Sequence, residues 1–160
     1  MKKVEITEHG NYLFGSIDGV DFVQSGTLES GQKYGASVAY LFIGFLPKHS
    51  DLYDDLRKSG FVLIFKPVLP NGNDGVKGNV DADMVLQAMI DYNRYDKAVI
   101  VTSDGDFYSL VRYLYDNKKL EVVLSPHVRN CSLLLKKTGK EKIVYMDKLS
   151  KKIGKRKSTA

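Results

Sequence analysis

Two aspartates separated by one glycine, Asp104 and Asp106, directly follow the mainly apolar, β-branched residues 98–102. Such a run predicts a buried strand that ends at these two carboxylates. Asp18 follows a second apolar run at 12–17, and Asp81 begins an amphipathic segment. Because ligands of open α/β sheets bind beyond the carboxyl ends of the strands, we expect all four aspartates at one rim of a sheet.

Carboxylates that crowd together repel one another and need a cation to screen them. Oxygen ligands suit hard cations such as Mg²⁺ or Mn²⁺. Divalent cations held by carboxylates activate water and stabilise the leaving oxygen when a phosphodiester is cleaved. The predicted metal ligands, which are also the predicted catalytic residues, are Asp18, Asp81, Asp104 and Asp106.

Each of these aspartates also has an ordinary structural explanation. Asp is a favoured helix N-cap, and Asp81 and Asp106 lie near the starts of predicted helices. Asp18 and Asp104 precede glycine, which is a common turn pair. A single aspartate of this kind is better explained as a cap or a turn residue, so only their conjunction favours a metal site.

The elements that must position these residues alternate between strands and helices. Strands are predicted at 12–17, within 36–46, and at 61–66, 97–102, 120–124 and 143–146, and helices at 50–59, 81–93, 106–117 and 128–137. The segment 22–33 is predicted to be irregular or weakly helical, and 67–79 to be a loop. This alternation predicts a three-layer α/β/α domain whose five- to six-stranded sheet is mostly parallel.

The positive charge of the chain is unevenly distributed. Residues 136–160 contain ten Lys/Arg and two acidic residues, whereas residues 1–135 contain fourteen Lys/Arg and seventeen acidic residues. We therefore predict one domain at 1–149 and a basic tail at 150–160. Beside an acidic metal site, such a tail is expected to hold a polyanion; the alternative is a solvated tail that maintains solubility.

Several classes of protein are disfavoured by composition. No apolar run approaches the ~18 residues needed to cross a membrane, and the first ten residues lack the apolar core of a signal peptide. The single cysteine, Cys131, excludes an intrachain disulfide and zinc sites built on paired cysteines. These features predict a cytoplasmic protein without a membrane partner. The apolar segment 42–46 is expected to be either core or the interface of a homodimer.

Three motifs, in order along the chain, resemble those of the NYN domain family, in its LabA-like branch among the PIN-like nucleases. They are Ser-Ile-Asp-Gly-Val-Asp at 16–21, Lys-Gly-Asn-Val-Asp at 77–81 and Thr-Ser-Asp-Gly-Asp-Phe at 102–107. The resemblance spans roughly residues 12–149. It implies a PIN-like Rossmannoid sheet and a ribonuclease dependent on Mg²⁺ or Mn²⁺, with Asp18, Asp81, Asp104 and Asp106 at the acidic positions of the family.

Four further residues are candidates of lower rank. Asp21 stands where the family usually has Asn, so it is a lesser metal ligand. Asp83 is also a lesser ligand, because two residues of helix rotate it by about 200° from Asp81. The candidate substrate-binding residues are Lys77, with a solvated lysine as the alternative, and Ser103, with a plain turn residue as the alternative.

The predicted function is that of a single-domain, metal-dependent endoribonuclease that hydrolyses RNA phosphodiester bonds, with single-stranded RNA as the expected partner. Two alternatives stay open. The first is a non-catalytic RNA-binding or regulatory module on the same fold. The second is a nucleotide or phosphate-ester hydrolase, although the spacing from Asp18 to Asp21 is one residue too long for the Asp-x-Asp nucleophile of haloacid-type phosphatases.

Overall fold

The structure is a computed structural model that describes residues 10–17, 24–45, 47–66 and 80–146. Several predicted features lie outside these residues. They are Asp18, Asp21, the loop at 67–79 with its Lys77, and the basic tail at 150–160. The described residues contain both ends of the sheet and three of the four predicted metal ligands.

Six strands form one sheet, and every neighbouring pair of strands is parallel. The strands are β1 (Asn11–Ile17), β2 (Ala36–Gly44), β3 (Val62–Lys66), β4 (Ala98–Val101), β5 (Leu120–Ser125) and β6 (Ile143–Tyr145). Their order across the sheet is β3-β2-β1-β4-β5-β6, which confirms the predicted parallel α/β fold. The direction of winding reverses between β1 and β4, and the carboxyl ends of strands at such a switch point frame a ligand-binding crevice.

Parallel neighbours require crossover connections, and here helices supply most of them. The helices are α1 (Gln24–Lys33), α2 (Ser50–Lys58), α3 (Asp81–Ile90), α4 (Tyr108–Asp116) and α5 (Leu133–Gly139). A single 3-10 turn at Gly105–Phe107 lies between β4 and α4. The predicted order of strands and helices is therefore confirmed in the described part of the chain, apart from α1.

Side chains of alternate residues on the strands pack into two separate cores, one on each face of the sheet. Tyr12 and Phe14 of β1 face the helices α3, α4 and α5, whereas Leu13 between them faces α2. The first core is completed by Met84 and Ala88 of α3, Leu110, Val111 and Leu114 of α4, and Leu135 of α5. The two cores establish the three-layer arrangement, because each face of the sheet is covered by its own helices.

The helix α1 is regular over ten residues, so the prediction of an irregular or weakly helical segment was wrong in part. Among the side chains of α1 that the structure describes, Thr27 and Ser30 are buried, and both are polar, so they give no apolar signal of an amphipathic helix. A Cβ atom added to Gly31 would lie 3.5 Å from Cδ1 of Leu13, so α1 packs closely on the sheet. Close packing of small residues forms this helix without an apolar stripe.

Other helix boundaries also differ from the predicted ones. The helix α5 begins at Leu133 rather than at 128, because the residues 128–130 form a turn. The helix α3 ends at Ile90, three residues early, and is followed by a turn. The helix α4 begins at Tyr108, because Asp106 belongs to the preceding 3-10 turn.

The apolar segment of β2 lies in the core rather than at an edge of the sheet. Phe42 and Ile43 are buried, and β2 is paired with a strand on each side. Leu46 lies outside the described residues. A homodimer through this segment therefore has no support from Phe42 or Ile43, and the homodimer itself stays a prediction.

Candidate metal centre

The loop after β4 carries two carboxylates in a conformation that local hydrogen bonds define. The backbone N–H of Asp104 donates to Oγ1 of Thr102 at 3.1 Å. Asp104 then caps the 3-10 turn, since its Oδ1 accepts a 2.9 Å hydrogen bond from the backbone N–H of Asp106. Oxygen side chains at such N-cap positions satisfy backbone donors that the turn leaves unpaired. The cap interpretation of Asp104 is thus correct, and it does not exclude a second role as a ligand.

The start of α5 approaches Gly105 closely, and only a residue without a side chain leaves room for this approach. A Cβ atom at this position would lie 2.4 Å from Oγ of Ser132 and 3.0 Å from its Cβ. The backbone N–H of Ser132 also donates to the carbonyl of Ser103 at 3.0 Å. The loop that carries Asp104 and Asp106 is therefore fastened to α5.

Asp81 is brought to the same loop by the packing of α3. It is the first residue of that helix and is partly exposed. Its neighbours Val80 and Met84 are buried in the core with Phe107 of the 3-10 turn. One carboxylate oxygen from each of Asp81, Asp104 and Asp106 lies within 4.8 Å of the other two.

This group of three carboxylates, the acidic cluster, fits a hard divalent cation. Two ligand oxygens on opposite sides of one Mg²⁺ are about 4.2 Å apart, since each bond is about 2.1 Å long. Separations of up to 4.8 Å in the acidic cluster are close to that value. An all-oxygen donor set favours Mg²⁺ or Mn²⁺ over softer metals. The residues present therefore fit the predicted kind of metal.

Electrostatic repulsion within the acidic cluster also favours a bound cation. Two unit charges 4.8 Å apart repel by about 0.9 kcal/mol in water and about 3.5 kcal/mol at an effective dielectric constant of 20. Asp81 and Asp104 are partly buried, whereas Asp106 is exposed, so the cluster opens to solvent on the side of Asp106.

The other candidate acidic residues lie elsewhere. Asp83 is exposed on α3 and, within the described part of the chain, does not join the three-carboxylate group. This position agrees with its rotation away from Asp81 along the helix. Asp18 and Asp21 are outside the described residues, as is Lys77. Three of the four first-rank aspartates are thus brought together.

Ser103 binds a neighbouring strand through its hydroxyl. Its Oγ lies 2.8 Å from Oγ of Ser125, a fully buried residue at the end of β5. The hydroxyl of Ser125 also lies 3.2 Å from the carbonyl of His127, to which it donates. Because Ser125 has only one hydroxyl hydrogen, Ser103 is then the donor to Ser125. The role of Ser103 in binding substrate stays a prediction.

Ser125 was missed by the sequence analysis, although its position carries a signal. It directly follows the apolar residues 122–124 of β5, as Thr102 directly follows the apolar residues of β4. A polar residue at the carboxyl end of a buried strand is where the sites of α/β sheets lie. The same criterion that selected the aspartates would have selected this serine.

The family profile of the NYN domain matches residues 19–147, which is most of the chain. The chain belongs to the NYN domain family. NYN domains share the PIN-like nuclease fold, so the expected family and fold class are confirmed. The profile includes Asp81, Asp104 and Asp106 and begins one residue after Asp18. The LabA-like branch stays a prediction.

The fold of this NYN domain is also similar to that of a solved structure. The crystal structure of a protein of unknown function from Vibrio parahaemolyticus matches with a TM-score of 0.69 at 18% sequence identity. The match covers 91% of this chain and 96% of the other. At this level of identity, the likeness concerns the fold alone. None of the curated proteins matches the sequence.

In the part of the chain that the structure describes, no helix has both the length and the apolar character that a membrane span requires.

Proposed function

We propose that this NYN domain is a metal-dependent endoribonuclease that hydrolyses phosphodiester bonds in RNA. The observation that carries the proposal is the acidic cluster, in which Asp81, Asp104 and Asp106 offer oxygens within 4.8 Å of one another. The cluster lies beyond β4, beside the switch point of a parallel sheet. Membership of a PIN-like nuclease family gives this arrangement a chemical interpretation.

Asp18 is proposed as a fourth ligand. Gly15 of β1 pairs with Val101 of β4. Asp18 follows Gly15 by three residues, as Asp104 follows Val101. Because the two paired positions lie on adjacent parallel strands, this equal spacing supports a position of Asp18 close to Asp104. Asp21 remains a lesser candidate, whereas Asp83 is exposed and does not join the acidic cluster.

A divalent cation, Mg²⁺ or Mn²⁺, would supply positive charge beside the scissile phosphate and increase the acidity of a nearby water. The protein itself keeps the ligand oxygens in place. The hydrogen bond from Asp106 N–H holds Oδ1 of Asp104, and the contact between Gly105 and Ser132 holds the loop. Sites of this kind work best when their ligands are ordered before the substrate arrives.

The proposed substrate contacts follow from charge. RNA is a polyanion, and lysine and arginine bind its phosphates with release of counterions. Lys77 and the basic tail at 150–160 are proposed to hold the backbone of the strand, and Ser103 to contact substrate beside the metal. The proposed site of action is the cytoplasm.

The proposal is tested with purified protein, Mn²⁺ and a single-stranded RNA labelled at its 5′ end. We expect cleavage that EDTA stops, and a loss of at least 100-fold in rate for Asp104→Asn. The matched control is Asp83→Asn, because Asp83 is exposed and lies outside the acidic cluster. Equal cleavage by the wild type and Asp104→Asn would identify a contaminating nuclease and remove the evidence for this function.

The nature of the product ends gives a second control. Attack by water leaves no 2′,3′-cyclic phosphate, whereas attack by the neighbouring 2′-hydroxyl, used by metal-independent ribonucleases, produces one. Products with cyclic ends would contradict the proposal even if EDTA reduced the rate. Tight binding of RNA without any cleavage would favour the non-catalytic RNA-binding module instead.

A further inference from the structure

We propose that the exposed face of α5 binds an unpaired nucleotide of the RNA beside the acidic cluster. The contact residues are Leu133 and Leu134, the leucine pair, with Arg129 and Lys137 as flanking phosphate contacts. This inference rests on the proposed function, because it assumes that RNA is the substrate. It adds a binding surface that discriminates single-stranded from double-stranded RNA.

The leucine pair is not part of the core. Leu133 is 66% exposed and Leu134 is 46% exposed, whereas the next residue, Leu135, is fully buried. Leu135 therefore supplies the apolar contact that holds α5 on the sheet. Leu133 and Leu134 leave apolar surface on α5 that the core does not use, and this surface lies beside the loop that carries Asp104 and Asp106.

The leucine pair is next to the loop that carries Asp104 and Asp106, here called the metal loop, and the start of α5 is bonded to that loop. The residue before Leu133, Ser132, donates its backbone N–H to the carbonyl of Ser103 and packs against Gly105. The Cβ atom of Leu134 lies 3.8 Å from the position that a Cβ atom on Gly105 would occupy. An RNA strand that places a phosphate at Asp104 and Asp106 would therefore have the leucine pair close beside it.

The charge around the leucine pair complements a polyanion. Residues 122–140 contain no acidic residue and four basic ones, which are Arg129, Lys136, Lys137 and Lys140. Arg129 and Lys137 are exposed. Lys137 lies one helical turn after Leu133 and so belongs to the same side of α5. An apolar patch flanked by cations fits a base with phosphates on either side.

An unpaired nucleotide fits this surface better than a duplex does. In a double helix the faces of the bases are stacked on one another, so an apolar side chain has no access to them. In single strands and loops, the bases are free to pack against side chains of the protein. The leucine pair should therefore increase the affinity for single-stranded RNA and leave the affinity for duplex RNA unchanged.

The test compares the wild type with Leu133→Ser/Leu134→Ser in the full chain. Binding of a fluorescent 12-nucleotide single strand, and of a duplex of the same sequence, is measured by anisotropy with Ca²⁺ in place of Mn²⁺, so that the acidic cluster is neutralised, and a gel run in parallel shows that the RNA stays intact. We expect the dissociation constant for the single strand to rise about fivefold or more, because the base no longer covers apolar leucine surface. The constant for the duplex should not change.

A matched control variant is Leu86→Ser/Ile90→Ser. These two residues of α3 are 60% and 59% exposed, and neither adjoins Gly105. The control should bind both RNAs like the wild type, and both double variants should keep the thermal midpoint of the wild type, since the residues they change are exposed.

The outcomes separate this inference from the proposed function. If the wild type cleaves RNA and the leucine variant binds the single strand equally well, the inference is wrong and the function stands. If the wild type neither binds nor cleaves RNA, both are wrong. Light scattering gives a further outcome. If the wild type and the control variant are dimers and only Leu133→Ser/Leu134→Ser is a monomer, a second copy of the chain occupies this face and the inference is again overturned.

Discussion

The backbone N–H of Asp106 donates a 2.9 Å hydrogen bond to Oδ1 of Asp104, so one member of the acidic cluster orients the other. Asp104 therefore has two roles at once, as the cap of a 3-10 turn and as a candidate ligand. The two roles have different chemical requirements, because a cap needs an oxygen acceptor whereas a metal ligand needs negative charge. Substitutions that preserve one property and remove the other separate these roles.

We predict that Asp104→Asn and Asp104→Ala differ in stability but not in activity. Asn keeps an acceptor oxygen for the N–H of Asp106 and removes a repelling charge, so its free energy of unfolding should equal or exceed that of the wild type. The Asp104→Ala variant loses the cap, and its free energy of unfolding should be lower than that of the wild type by about 1 kcal/mol. Urea unfolding in EDTA measures both values, and an RNA cleavage assay should show both variants to be inactive. Equal stability of Asn and Ala would contradict the cap assignment.

We predict that Mn²⁺ stabilises the folded protein through the acidic cluster. An ion that binds only the folded state adds about 2.7 kcal/mol to the free energy of unfolding when its concentration is 100 times its dissociation constant. The thermal midpoint should therefore rise with Mn²⁺ in the wild type and in Asp83→Asn. In Asp81→Asn the increase should be strongly reduced, because one ligand of the cluster is lost. A similar increase in Asp81→Asn and the wild type would mean that the ion binds elsewhere.

Gly105→Ala should disrupt both stability and activity. Its new Cβ would lie 2.4 Å from Oγ of Ser132 and 3.0 Å from its Cβ, so the loop and α5 must move apart. Forcing extra volume into a packed contact costs about 1–3 kcal/mol. The loop that carries Asp104 and Asp106 would move with it, and cleavage should fall.

A double-mutant cycle checks the cause of this loss. Ser132→Gly removes both atoms that Gly105→Ala would meet, so the double variant should recover part of the lost stability relative to the sum of the single changes. The measurement is urea unfolding of the wild type, both single variants and the double variant. Strict additivity of the two changes would show that Ser132 is not the obstacle.

Alkaline pH should unfold the protein through its buried tyrosines. The pKa of Tyr40 is raised well above its ordinary value of 10.0. The main cause is burial, and the second is a hydrogen bond to the buried carboxylate of Asp91. Burial likewise raises the pKa of Tyr95. A raised folded-state pKa gives stability that is complete below pH 10 and is lost as the pH rises toward the folded-state pKa, because the unfolded chain releases these protons first.

Tyr40→Phe tests this dependence. Phe has no ionisable proton, so the fall in the free energy of unfolding between pH 9 and pH 11 should be shallower than in the wild type. Tyr95 should preserve part of the slope. At neutral pH the variant should be less stable by about 1–3 kcal/mol, because Asp91 loses a hydrogen-bond donor. Tyr108→Phe, which changes an exposed tyrosine, is the matched control and should keep the slope of the wild type.

Much of the fold was predictable because its signals are local in the chain. Apolar runs marked β1 and β4, and the alternation with helices implied parallel strands, all of which the structure confirms. The helix α1 was less predictable, since Thr27 and Ser30 are buried there in place of apolar residues. The start of α5 was misplaced, because it is defined by the bond between Ser132 and Ser103, residues distant in the sequence.

The kind of domain, its family and the aspartates to consider follow from the amino-acid sequence, because strand ends and motif order are local properties of the chain. The meeting of Asp81 with Asp104 and Asp106 is visible in the tertiary structure alone, since the packing of α3 on the sheet determines that distance. The tertiary structure also decided that Ser103 bonds to Ser125 and that Leu133 and Leu134 face solvent beside the metal loop. Contacts between separate elements depend on how their surfaces pack together, which no local pattern specifies.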